Sequence, residues 1–219
     1  MLLLGCAKRL LRADKAVRGS TDWNWRNRLE AGELAGKHLL LLGFGRIGRR
    51  IANMAQAFDM RIRAYDPWLL QHGWPDDTIK PFADLGEALV WADAVSVNVP
   101  KTDTPLLGVA ELDALKPGAI LVNTARGGIV DEIALVNALS SGQVGAAGLD
   151  VFDEEPPAAD HPLLAFDQVI LTPHIAGVTV EASERMAVSS VRNAIGYFSG
   201  DIDSDLIVNQ QHLRDTTLT

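Results

Sequence analysis

The chain is 219 residues long and carries 20 basic against 28 acidic residues, a net charge of −8. Hydrophobic residues at 47% and charged ones at 22% exclude a disordered or collagen-like chain, and one cysteine excludes a disulfide scaffold; the length suits one large domain with a real core. Residues 1–50 hold eleven basic and four acidic residues and the remainder nine and twenty-four, and a net acidic chain gives nucleic acid no electrostatic reason to bind.

From the start, Leu3, Leu4, Leu10, Leu11 and Val17 recur at helical spacing, with Lys8, Arg9, Arg12, Lys15 and Arg18 on the other faces. That pattern predicts an amphipathic helix with a stripe to bury. Its cover is its own sheet, a second copy or another domain. The opening Met1–Cys6 has the outline of a lipoprotein cleavage box, but it lacks a positive n-region and its apolar run is too short for a signal peptide. A polar loop follows over 20–36, with Trp23 and Trp25 expected at the surface. Residues 38–42, 61–65, 94–99, 120–123, 144–151 and 169–172 read as short buried strands. Helices are expected over 46–58, 84–91, 131–141 and 178–198, with a helical turn over 111–115 and a Pro/Asp loop over 153–162. The tail from 201 is polar. Strands alternating with helices predict an α/β, Rossmann-like, doubly wound parallel sheet. The expected division is an arm over 1–36, a dinucleotide-binding domain over 37–200 and a tail over 201–219. No stretch approaches the ~18 apolar residues of a membrane span. With a lone thiol, Cys6, the expectation is a cytoplasmic protein.

Gly43-Phe44-Gly45-Arg46-Ile47-Gly48 is a G-x-G-x-x-G element between a strand and a helix. Gly43 permits the tight turn, Gly45 lets backbone approach a pyrophosphate, and Gly48 allows close helix–strand packing. The amides opening the helix then face the phosphates. Asp66 ends the next strand, where a carboxylate accepts from the adenosine ribose hydroxyls. The following residues, Pro67 and Trp68, bring no cation for a 2′-phosphate, so NAD is expected over NADP.

Three later segments, Asn123–Glu132 (NTARGGIVDE), Gly148–Pro156 (GLDVFDEEP) and Leu171–Gly177 (LTPHIAG), stand in order after the glycine turn. With that turn they resemble the D-isomer-specific 2-hydroxyacid dehydrogenases, in particular their phosphoglycerate dehydrogenase and hydroxypyruvate or glyoxylate reductase members. The resemblance runs from about Leu2 to Asn209. It implies that Arg126 is the substrate arginine, a guanidinium fork suited to a carboxylate and its adjacent carbonyl. It implies that His174 is the acid/base group, a role for which imidazole titrates in a suitable range. Glu155 is implied as the carboxylate that orients and charges that imidazole. Asp150 corresponds to a residue near the nicotinamide carboxamide, and Val99, Thr124, Ala125, Arg46, Ile47 and Gly177 to cofactor-lining positions; Arg126 and His174 also border that pocket. No metal site is expected. Homodimerisation through the first 35 residues is a further implication.

The same resemblance implies an N-terminal substrate-domain segment that these residues do not include, so that the chain starts inside the helix connecting two domains. Two readings stay open. One is a dehydrogenase of 2-hydroxy acids, truncated or completed by another chain; the other is a non-catalytic NAD-binding module descended from such an enzyme.

Overall fold

The structure, a computed structural model, describes residues 1–19 and 22–207. Ser20 and Thr21 of the polar loop, and the expected tail beyond 207, lie outside the described residues. In chain order the strands are β1 (His38–Leu42), β2 (Arg61–Tyr65), β3 (Lys80–Pro81), β4 (Ala94–Val97), β5 (Ala119–Asn123), β6 (Val144–Leu149) and β7 (Val169–Leu171). The helices are α1 (Leu2–Ala7), α2 (Leu10–Arg18), α3 (Arg46–Gln56), α4 (Pro67–His72), α5 (Leu85–Trp91), α6 (Val109–Asp113), α7 (Glu132–Ser141) and α8 (Val180–Ser199).

Two compact units result, residues 1–176 and the segment from Gly177 on. The first unit contains one parallel sheet ordered β3-β2-β1-β4-β5-β6-β7. The run of leucines in β1 shows why it must lie centrally. Leu39 and Leu41 enter one core with Ala52 and Ala55 of α3 and Ala7 of α1. Leu40 and Leu42 enter the other with Leu89 of α5, Leu112 of α6 and Leu135 of α7. A strand apolar on both faces can be satisfied only between two helical layers. The second unit is α8, with Thr179 Oγ1 accepting from the Ala182 amide at its start and Gly200 closing it at φ 74°. No described helix is long and apolar enough to cross a membrane.

The N-terminal stripe departs from the expected single helix. The chain breaks between α1 and α2, where Arg9 takes φ 52° and its guanidinium donates to the Gly145 carbonyl at 2.5 Å. α1 packs on the sheet, burying Leu2, Cys6 and Ala7. α2 buries nothing, and its Leu10, Leu11 and Val17 are 54%, 49% and 58% exposed. The loop is also less open than expected: Trp23–Arg28 forms a 3₁₀ helix, Trp23 is exposed, but Trp25 is half-buried. β3 and α4 have no counterpart among the expected elements. β3 is two residues long, and α4 is started by Asp66 at its N-cap and Pro67 at N1, both ordinary helix-opening residues.

α1 reaches the sheet through two glycines. A Cβ on Gly148 of β6 would lie 2.7 Å from Leu2 Cβ, and one on Gly5 would lie 2.8 Å from Ile170 Cδ1 of β7. Gly148→Ala therefore forces α1 off β6 and is expected to cost about 1–3 kcal/mol, seen as a lower urea midpoint at unchanged slope. An unaltered midpoint would contradict this packing.

Candidate active site

The predicted site residues of the first unit gather at the carboxyl ends of the parallel strands. The glycine turn joins β1 to α3. Gly43 has φ 89°, and a Cβ on it would lie 2.7 Å from the Asn98 carbonyl oxygen beyond β4. A Cβ on Gly48 would fall 2.3 Å from the Gly43 carbonyl oxygen, whereas one on Gly45 would meet nothing within 4 Å. The first and third glycines are thus closed in by protein, and the second faces open space. Gly45 is also the N-cap of α3, with no side-chain cap and no acidic residue in the first turn. The opening amides of α3 are left for an outside acceptor, and the helix dipole favours an anion there. Gly45, Arg46, Ile47, Arg50 and Asn98 line an open groove at this point. β1 and β4 are neighbours from which the sheet winds in opposite directions, the place where such sheets bind ligands.

Asp66 does more than the sequence suggests. Its Oδ2 accepts from the Phe44 amide at 2.9 Å and its Oδ1 from the Leu69 amide at 3.1 Å. It ties the glycine turn to α4. A carboxylate has about four acceptor positions, so two remain for ribose hydroxyls. Val99 comes to the same turn, its Cγ1 3.0 Å from where a Gly43 Cβ would be. An open Gly45, free helix amides and spare acceptors on Asp66 fit a dinucleotide.

Beyond β5, the buried Asn123 holds the Thr124-Ala125-Arg126 turn. Its Oδ1 accepts from the Ala125 amide at 3.0 Å and its Nδ2 donates to the Arg126 carbonyl at 2.9 Å. Arg126 is exposed, donates to the Ala125 carbonyl at 2.6 Å, and forms no ion pair among the described residues. Asp150, at the end of β6, is 1% exposed. It accepts from Thr172 Oγ1 at 2.5 Å and from the Ile175 and Ala176 amides at 2.9 and 2.8 Å. These bonds shape the loop beyond β7 in which His174 takes φ 53°. His174 Nδ1 lies 2.8 Å from Glu155 Oε2, and Glu155 Oε1 accepts from the Phe152 amide at 3.1 Å.

The structure therefore brings Glu155 and His174 into contact, and Asp66, Val99 and the glycines around one turn. Arg126 makes no hydrogen bond to the Glu155–His174 pair among the described residues. Its loop is instead seated on theirs: a Cβ on Gly127 would overlap the Phe152 carbonyl oxygen at 1.8 Å. Gly177 opens the second unit, where a Cβ on it would meet nothing within 4 Å. Asn98, Arg50 and Asn123 are not among the expected site residues. An Asn at a strand end is a recognisable turn former, which is the available signal for Asn123. Among the described residues no cluster of His, Cys, Asp and Glu could hold a metal ion.

Residues 1–176 match the model of the D-isomer specific 2-hydroxyacid dehydrogenase NAD binding domain. The chain belongs to that family. A glyoxylate reductase of Thermofilum pendens is 41% identical over 220 residues, covering 97% of this chain and 64% of the relative. A solved structure from Thermus thermophilus superposes with TM-score 0.82 at 39% identity, over 93% of this chain and 64% of that one. The Aquifex aeolicus D-lactate dehydrogenase, solved with NAD and lactic acid, gives TM-score 0.79 at 30% identity, over 91% and 64%. The chain thus spans a little under two thirds of the length of these relatives.

In this 2-hydroxyacid dehydrogenase domain the His174 hydrogen bond, then the Phe152 amide, holds the Glu155 carboxyl below the usual carboxylate range. A group whose pKa is lower folded than unfolded stabilises the fold above its unfolded value and loses that contribution as pH falls through the folded one. The Glu155–His174 contact is expected to persist into acid beyond ordinary glutamates. Titration of the Glu155 carboxyl carbon by NMR checks this, and a midpoint at or above the ordinary value contradicts it.

Proposed function

We propose that this domain binds NAD and serves a D-2-hydroxyacid dehydrogenase reducing a small 2-oxo acid, with Arg126, Glu155 and His174 as its reacting group of side chains. The observation carrying this reading is the 2.8 Å contact between His174 Nδ1 and Glu155 Oε2 on a sheet edge that also bears an open dinucleotide turn. When bound, NADH supplies the hydride taken up by the carbonyl carbon of the 2-oxo acid. Arg126 binds the carboxylate and polarises the neighbouring carbonyl with its guanidinium. With Nδ1 engaged by Glu155, His174 has Nε2 free to give a proton to the developing alkoxide. Glu155 holds the ring in that orientation. Oxidation of the hydroxy acid runs these roles in reverse. Gly45, Arg46 and Ile47 take the pyrophosphate on a turn that Gly43 and Gly48 hold closed against protein, and Asp66 takes the adenosine ribose. Val99, Thr124 and Ala125 line the cofactor, with Asp150 near its nicotinamide carboxamide. A cytoplasmic setting fits the free, buried Cys6.

Fluorescence titration is expected to show NADH bound more than about tenfold tighter than NADPH, or about 1.4 kcal/mol. Asp66→Asn keeps an acceptor for the helix cap but removes the charge, and should narrow that gap. Equal affinities in the parent chain would overturn the NAD assignment. NADH binding with no reduction of glyoxylate or hydroxypyruvate, even after a substrate domain is supplied, would favour the non-catalytic module.

We also propose a two-fold homodimer built from the N-terminal arm. Leu10, Leu11, Trp23 and Leu29 of that arm are all exposed, Trp23 at 64% and Leu29 at 86%. Apolar surface concentrated in this way marks an interface. A dimeric mass is expected in sedimentation equilibrium at micromolar concentration, weakened by Trp23→Ala together with Leu11→Ala. A monomeric parent would overturn it.

A further inference from the structure

The loop bearing Glu155 is pinned at both ends by one carboxylate on a neighbouring helix. Glu132 is the first residue of α7. Its Oε1 accepts from the Asp153 amide at 2.9 Å, and its Oε2 lies 3.0 Å from His161 Nε2. Glu155 sits between those two anchor points. The tautomer of His161 follows from its other nitrogen. Nδ1 accepts from the Leu163 amide at 3.3 Å, so the ring proton lies on Nε2 and is donated to Glu132. The pair is mostly sheltered, with side-chain exposures of 19% for His161 and 16% for Glu132. The Phe152 ring stands edge-on to the imidazole at 6.2 Å.

The contact also reaches the arginine loop. Asp153, whose amide Glu132 holds, accepts at its own Oδ1 from the Gly128 amide at 2.5 Å. Gly128 lies two residues beyond Arg126. One chain of hydrogen bonds thus runs from His161 through Glu132 and Asp153 to the turn carrying the guanidinium. The Leu163 side chain beside His161 is fully buried, which fixes the far end to the core. A rigid helix start and a core anchor therefore meet at the segment whose position decides whether Glu155 reaches His174.

We propose that Glu132 and His161 are positioning residues, which together set the Glu155 loop against His174 and register it with the Arg126 turn. This rests on the active-site reading above. Neither residue touches the dinucleotide turn, so their effect falls on the acid/base pair and not on cofactor affinity.

The test uses the full chain and compares Glu132→Ala, His161→Ala and the conservative His161→Gln, whose carboxamide can still donate to Glu132. Two NMR readouts need no turnover: the Glu155 carboxyl titration, and the ring nitrogen signals of His174, which show whether Nδ1 keeps its bond to Glu155. In both alanine variants the Glu155 midpoint is expected to rise toward the ordinary carboxylate range and the selected His174 tautomer to be lost. NADH affinity should be unchanged, and His161→Gln should restore the parent signals. Unchanged Glu155 and His174 signals in a folded Glu132→Ala chain would overturn the proposal. So would unfolding of both alanine variants, since the pair would then hold the fold and not the site. Failure of the parent chain to bind NADH would instead strike the proposed function, leaving the NMR comparison still able to decide this one.

Discussion

Strands that all run one way leave all their carboxyl ends on one edge, and there the backbone stops pairing with its neighbours. Each chain leaving that edge carries amides and carbonyls that water reaches poorly and that must find partners. In this domain short polar side chains supply them. Asn123 serves the turn after β5, Asp150 the loop after β7, and Asp66 both the glycine turn and the start of α4. The edge that the sheet leaves unsatisfied is therefore where polar groups concentrate. A ligand-binding edge follows from parallel pairing before any ligand is considered.

Glycines let those loops lie on one another. Gly43 admits the chain beyond β4 and Gly127 admits the Phe152 carbonyl, each at a distance no Cβ would tolerate. Within the dinucleotide turn only Gly45 looks outward. The same residue type thus does opposite work within one motif: two glycines bring protein against protein, and one keeps protein away. This explains why the spacing of the motif carries more information than its glycine content.

Much of the sheet is legible in the sequence because its strands are short apolar runs between glycine and proline punctuation, a pattern that burial on both faces imposes. The edge elements are not. β3 is only two residues long, which is below what alternation can reveal. α4 is hidden because Asp66 and Pro67 carry two meanings at once, a ribose acceptor beside no cation and a helix start. At the other end, five apolar residues at helical spacing suggest one helix. Periodicity cannot show that Arg9 takes a left-handed conformation and sends its guanidinium to Gly145. In the site, chemistry-bearing side chains are legible from motifs. Of their supports, Asn123 carries only the general signal of a turn former, and the Glu132–His161 contact carries none, because a supporting residue is defined by the partner it meets in the fold.

His174 shows why supports matter to the proposed chemistry. A left-handed backbone at a non-glycine residue costs on the order of 1–3 kcal/mol, although His is among the residues that tolerate it best. That conformation stands at φ 53°. It is held because Asp150 engages the backbone on the far side of the residue, at Ile175 and Ala176, while Glu155 engages the ring. Backbone and side chain are fixed by separate carboxylates, one buried and one at the surface. The buried one sets where the ring begins, and the exposed one sets where it points. In the proposed reaction, substrate would then find the imidazole already organised, and binding free energy that ordering would have consumed would stay available to the reacting geometry.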